Sequence, residues 1–164
     1  MGIFNEDIYV NGSLGAKTFL PSAGAILDAH INAAAGIQTS KMVHKYRKHY
    51  NQNGGAVSAT IPIHVLQSAT GGTIASFKVG SVAATTGSST VTVDLKKNGS
   101  SILTAAIQLD SVTNKTARTL YAGSLNSTTG IQGDWYDIVV TATQGTGSLP
   151  SGLYCVLEVD EASV

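Results

Sequence analysis

From about residue 57 onward, apolar and polar positions alternate with a period of two, and the alternating runs are separated by short clusters of Gly, Asn, Ser and Thr. That pattern predicts successive half-buried strands joined by tight turns. The first run, "VSATIPIHVLQ", spans Val57 to Gln67, and Pro62 assigns it to a sheet edge, where a missing N–H does no harm. "GTIASFKVGSVA" follows. Then comes "STVTVDLKKNGSSILTAAIQLD", two alternating runs around Asn98-Gly99, a pair that favours positive φ at both turn positions and so closes a hairpin. Further strands are expected at "TARTLYAGSL", "DWYDIVVTAT" and "GLYCVLEVD". Seven or so strands at this spacing predict an all-β fold: a single antiparallel β-sandwich, jelly-roll-like, over residues 56–164.

The first 55 residues have a different character. They are irregular and alanine-rich, and Gly2, Gly12, Gly15, Gly24 and Gly36 interrupt every helix of ordinary length. A short helix is expected from about Lys41 to Tyr50, with Ser40 as its N-cap. Residues 1–55 therefore read as an extended, partly helical N-terminal arm. Such an arm cannot bury its own apolar residues, and it gains stability by lying on another surface.

Charge narrows the range of partners. The 164 residues carry ten Lys and Arg against ten Asp and Glu, a net charge of zero, so no global field steers the protein onto a polyanion. No nucleic-acid partner is expected. No apolar run approaches the roughly 18 residues of a membrane span, and the acidic start "MGIFNEDIYV" is unlike a secretory signal. A soluble protein made in the cytoplasm, with no membrane partner, is the expectation. Cys155 lies in "LYCVLEV", where a thiol acts as a small apolar filler.

Catalysis needs a nucleophile with a base, two carboxylates with separated pKa values, or convergent metal ligands. The sequence offers none of these in recognisable spacing, so no enzyme, cofactor or catalytic residue is expected. Asp94 and Asp134 read as turn caps, and Asp134 with Asp137 lacks the dense oxygen-ligand loop of a calcium site. His44 and His49 are five apart, not the three or four that two ligands on one helix face require, and no metal site within one chain is expected. A histidine stacked around a symmetry axis in an oligomer stays open.

The densest chemistry is "KMVHKYRKHY", from Lys41 to Tyr50. Its basic stems and two tyrosines suit docking against protein, on a partner or on another subunit, more than contact with phosphates. Lys41, Met42, Tyr46, Arg47, Lys48 and Tyr50 are the candidate partner-binding residues. Trp135, in "DWYDIVV", is the one candidate for stacking on a sugar, although burial in the core or at a subunit interface is its expected state.

Just before the basic stretch, "DAHINAAAGIQTSKMVHKY" contains Asp28, Ile31, Asn32, Ala33, Ala35, Ile37, Ser40 and Lys41 in an order that resembles bacteriophage virion proteins of the capsid decoration (cement) and head-fibre type. The match covers about a tenth of the chain. It implies a homotrimeric virion component that has no catalytic motif, attaches to the major capsid protein through its arm and projects a β-sandwich. The implied location is the capsid surface, after synthesis in the host cytoplasm. A head protein that stabilises the shell is favoured over a tail fibre, because no internal repeat is visible. The alternative is a tail-fibre or carbohydrate-binding β-sandwich used in host recognition.

Overall fold

The computed structural model describes residues 44–161. All the regular structure in that span is strand: β1 (His44–Asn51), β2 (Ile63–Gln67), β3 (Gly72–Ala83), β4 (Thr90–Lys97), β5 (Ser100–Ser101), β6 (Ile107–Leu109), β7 (Tyr121–Ala122), β8 (Thr129–Gly130), β9 (Trp135–Thr143) and β10 (Ser151–Glu161). They form two five-stranded sheets in which every pair is antiparallel. One sheet has the order β1-β10-β3-β7, with β8 also on β3. The other has the order β2-β9-β4-β5, with β6 also on β4.

The pairings are nested. β4 pairs with β5 and β6, β3 with β7 and β8, β2 with β9, and β1 with β10, so the first half of the described chain lies against the second like one long hairpin. The fold of this hairpin is at Asn98-Gly99, whose φ values of 51° and 84° are both positive, as the sequence predicts. Two further pairings, β10 with β3 and β9 with β4, arise as the hairpin curls into two sheets.

Alternation fixes the core. Phe77 and Val79 of β3, Val91, Val93 and Leu95 of β4, Tyr136, Ile138 and Val140 of β9, and Leu153, Cys155, Leu157 and Val159 of β10 all point to one buried cluster, and the residues between them, mostly polar apart from Val139 and Val156, are more exposed. Cys155 lies fully inside, and burial pushes its thiol up to about 12, so it fills space as an apolar residue. Gly130 is required where it stands: a Cβ there would come within 2.7 Å of the Tyr136 hydroxyl from the facing sheet.

Two expectations are corrected. The helix from Lys41 to Tyr50 is not formed over its described residues, because His44–Asn51 is strand β1. Lys41, Met42 and the expected cap Ser40 lie outside the described residues, as does the rest of 1–43. Part of the segment assigned to the arm is thus the edge strand of a sheet. The cause is β10, whose outward Glu158 and Asp160 stand opposite Arg47 and Lys45, so that strand pairing gives the basic side chains counter-charges which a helix would not. Similarly, the strand expected from Val57 begins only at Ile63. Before it, Pro62 has no N–H to donate, and Val57 is instead tied by its N–H to the Pro150 carbonyl at 2.8 Å. β2 is an edge strand, as expected.

Candidate functional site

Strand β1 carries four of the six candidate partner-binding residues, and alternation separates them. Tyr46 and Tyr50 turn inward and pack against the core. Burial, then the nearby Glu161 carboxylate, raises the Tyr46 phenol above its ordinary value. Arg47 turns outward, and its Nε lies 2.8 Å from Glu158 Oε1. Lys48 lies with its ammonium 5.5 Å from the centroid of the Tyr46 ring, within cation–π range. Lys45 adds a 3.3 Å ion pair to Asp160.

Glu158 is the hub of this arrangement. Its second oxygen accepts from the Ser76 hydroxyl and from Lys78 Nζ at 3.1 Å, so one carboxylate ties β1, β10 and β3 together. The Ser76 hydrogen bond first, then those from Lys78 and Arg47, lower its pKa from 4.5 to about 2. A carboxyl whose folded value lies below its unfolded value adds stability that is fully present above the unfolded value and fades as the pH falls toward the folded one. Thermal midpoints are therefore expected to drop as the pH falls from 4.5 toward 2. The Glu158→Gln variant should show a shallower drop over that window, and equal slopes for the two proteins would remove Glu158 as the cause.

The outer edge of β1 has no strand partner among the described residues. Its Lys45, Arg47, Lys48 and two histidines make it a charged edge, a common device against edge-to-edge pairing of sheets. A groove of about 600 Å³ lies over the face of this sheet, from Lys45 and Arg47 of β1 across Glu158 and Asp160 of β10 to Ala75 of β3. Because cations and carboxylates there are already matched, the groove presents a balanced surface and no unneutralised basic stripe.

A second region lies at the end of the other sheet where Trp135 begins β9. Trp135 is 44% exposed, so within the chain it is not a core residue. The reason is parity: Tyr136, Ile138 and Val140 occupy the inward positions of β9, so Trp135 shares the outward side with Asp137. The alternation was present in "DWYDIVV", and counting back two from the polar Asp137, which flanks the apolar Ile138, would have placed the indole outside. Of the other aromatic residues, Tyr136 is buried. The Tyr121 hydroxyl accepts from the Thr116 N–H at 2.8 Å and donates to its carbonyl.

Trp135 is held by its backbone. Its N–H donates to Asn98 Oδ1 at 3.0 Å, and its carbonyl accepts from the Asn98 N–H at 3.0 Å. Asn98 Nδ2 in turn donates to the buried Asp134 carboxylate at 2.6 Å. That carboxylate also accepts from the Ile131 N–H at 2.9 Å and lies 3.5 Å from Lys97 Nζ. The Ile131 bond first, then the one from Asn98, hold its pKa below the usual range. Asp134 is a turn cap, as its sequence context predicts, and the Asn98-Gly99 turn is its second anchor. Asp94, also expected as a turn cap, instead lies within β4 opposite Val139, where it accepts from the Ser101 hydroxyl at 2.7 Å.

Among the described residues, no group of three or more His, Cys, Asp or Glu is placed to hold a metal ion, and no helix is long and apolar enough to cross a membrane. His64 Nδ1 lies 3.2 Å from Asp137 Oδ1 on the outer face. No family model matches the chain, and no curated protein matches it. Among solved structures it is similar to the EclA C-terminal domain, a sugar-binding protein, at 13% identity over 78% of this chain and 87% of that one, with a TM-score of 0.33.

Proposed function

We propose that the protein is a structural component of a bacteriophage virion: a jelly-roll-like β-sandwich that decorates and stabilises the capsid shell as a homotrimer bound to the major capsid protein. The nested strand order carries this reading. With β5 and β6 taken as one strand and β7 and β8 as another, the pairs are first with eighth, second with seventh, third with sixth and fourth with fifth, the order of a hairpin rolled into a jelly roll. That architecture serves many capsid and lectin domains. The acidic groups support a structural role, since Glu158, Asp134 and Asp110 all have lowered pKa values because their carboxylates are occupied by neighbouring donors. The resemblance of residues 28–41 to virion decoration proteins supplies the choice of particle.

Electron microscopy of particles made with and without the protein is the test. The expected result is added density on the head and survival to a higher temperature; particles identical in both respects would end the proposal.

A second reading, host recognition through carbohydrate on a fibre or a decorated head, is favoured by one observation, the exposed and backbone-pinned Trp135.

A further inference from the structure

We infer that the outer face of the β2–β9–β4 sheet, at its Trp135 end, is a carbohydrate site in which the indole stacks on the ring face of a pyranose and Gln67, Asp137, His64 and Lys96 address its hydroxyls. The inference rests on the carbohydrate reading above and assigns its residues.

Strand register brings the five side chains together. Gln67 of β2 is the direct partner of Trp135, and His64 of β2 is the partner of Asp137. On the opposite flank, Lys96 of β4 is the partner of Asp137. Directly opposed side chains on one face of an antiparallel pair have Cβ atoms roughly 5 Å apart, and residues two apart along a strand are separated by roughly 7 Å. The indole is therefore bordered, over about the width of one sugar ring, by an amide, a carboxylate, an imidazole and an ammonium. Gln67 is exposed. One Asp137 oxygen is taken by His64, which leaves the other to accept from a hydroxyl.

The chemistry selects the class of ligand. A pyranose presents aliphatic C–H groups on a ring face and hydroxyls around its rim, so it matches an aromatic platform ringed by donors and acceptors of both kinds. An apolar peptide side chain on Trp135 would strip water from Asp137 and Lys96 without offering either a partner. A nucleic acid would meet Asp137 together with Lys96, with no basic track for its backbone. The site is also pre-organised. Asn98 grips the Trp135 backbone at both N–H and C=O, and Asp134 anchors Asn98 from a buried position, so the backbone that presents the indole is fixed before binding.

The chain contains one tryptophan, so its fluorescence reports on this side chain alone. Lactose, maltotriose and chitotriose are suitable probes, titrated into the full chain and followed in parallel by tryptophan emission and by calorimetry. The expected result is that at least one gives a saturable change in emission together with measurable heat. Binding of that sugar should weaken by roughly tenfold or more in Trp135→Ala, the scale of a lost aromatic stacking contact, and to a smaller extent in Gln67→Ala. Both variants alter outward side chains, and circular dichroism identical to that of the parent confirms that they fold. If calorimetry detects a sugar that leaves the emission unchanged and binds Trp135→Ala with full affinity, this site is wrong while carbohydrate recognition stands. If no probe gives heat at the millimolar concentrations that reveal weak sites, both fall, and a protein surface becomes the better occupant for Trp135.

Discussion

Phe77→Ala is expected to lower the unfolding free energy by about 3–5 kcal/mol, the range for removing a large aromatic side chain from a packed core. Phe77 has no solvent exposure and sits in β3, opposite Leu157 of β10. Its carbonyl also accepts from the Gly123 N–H at 2.9 Å, so the strand on its other side limits how far the site can collapse around a cavity. A domain of this size is ordinarily stable by only about 5–15 kcal/mol. The variant should therefore unfold at a much lower urea concentration with an unchanged slope. A loss below about 1 kcal/mol, the ordinary scale of a tolerated substitution, would mean that the two sheets do not share the cluster around Phe77.

Asp134→Ala is expected to cost about 1.5–3 kcal/mol, the range for hydrogen bonds to a charged group, because it removes the buried carboxylate that accepts from the Ile131 N–H and Asn98 Nδ2. It also takes from Lys97 its nearest carboxylate. The effect should extend to function. Once Asn98 is released from Asp134, its hold on Trp135 slackens, so collisional quenching of the tryptophan should rise in the folded variant. Asp134→Asn, which keeps an acceptor oxygen, should lose less on both counts. Equal stability of the alanine and asparagine variants would show that the turn does not depend on the carboxylate as an acceptor.

The core was legible in the sequence because burial on one face of a strand imposes a period of two. β4, β9 and β10 follow that period closely, β3 follows it only from Phe77 to Val79, and the Asn98-Gly99 turn announces itself through the φ values it needs. What escaped was whatever depends on a partner distant in sequence. In "HKYRKHY", Tyr46 and Tyr50 are four apart, a spacing that fits one face of a helix as well as one face of a strand. Only the alternating acids of "EVDE" in β10 resolve the ambiguity, by presenting Glu158 and Asp160 at the same two-residue spacing as Arg47 and Lys45. β8 is shorter still, two residues that pair with Gly72 and Thr73, and no local pattern of that length stands out from a loop. At the Trp135 corner the parity of β9 was readable in advance, but the opposition of Gln67 was not, since a bulge between His64 and Leu66 shifts the register of β2.

The nested pairing has a consequence in time. Lys45 meets Asp160 across 115 residues of chain, and β10 is the neighbour of both β1 and β3. As the chain leaves the ribosome, β1 and β3 emerge early, yet the strand that lies between them is made last. The innermost turn at Asn98-Gly99 can close as soon as its two arms are out, but the sheet containing β1 cannot assemble before synthesis of the described region is nearly complete. Closing such long loops is slow, and folding in milliseconds to seconds is the usual pace for β topologies of this kind. During that interval the charges of "HKYRKHY" oppose the addition of the unpaired strand to another nascent chain.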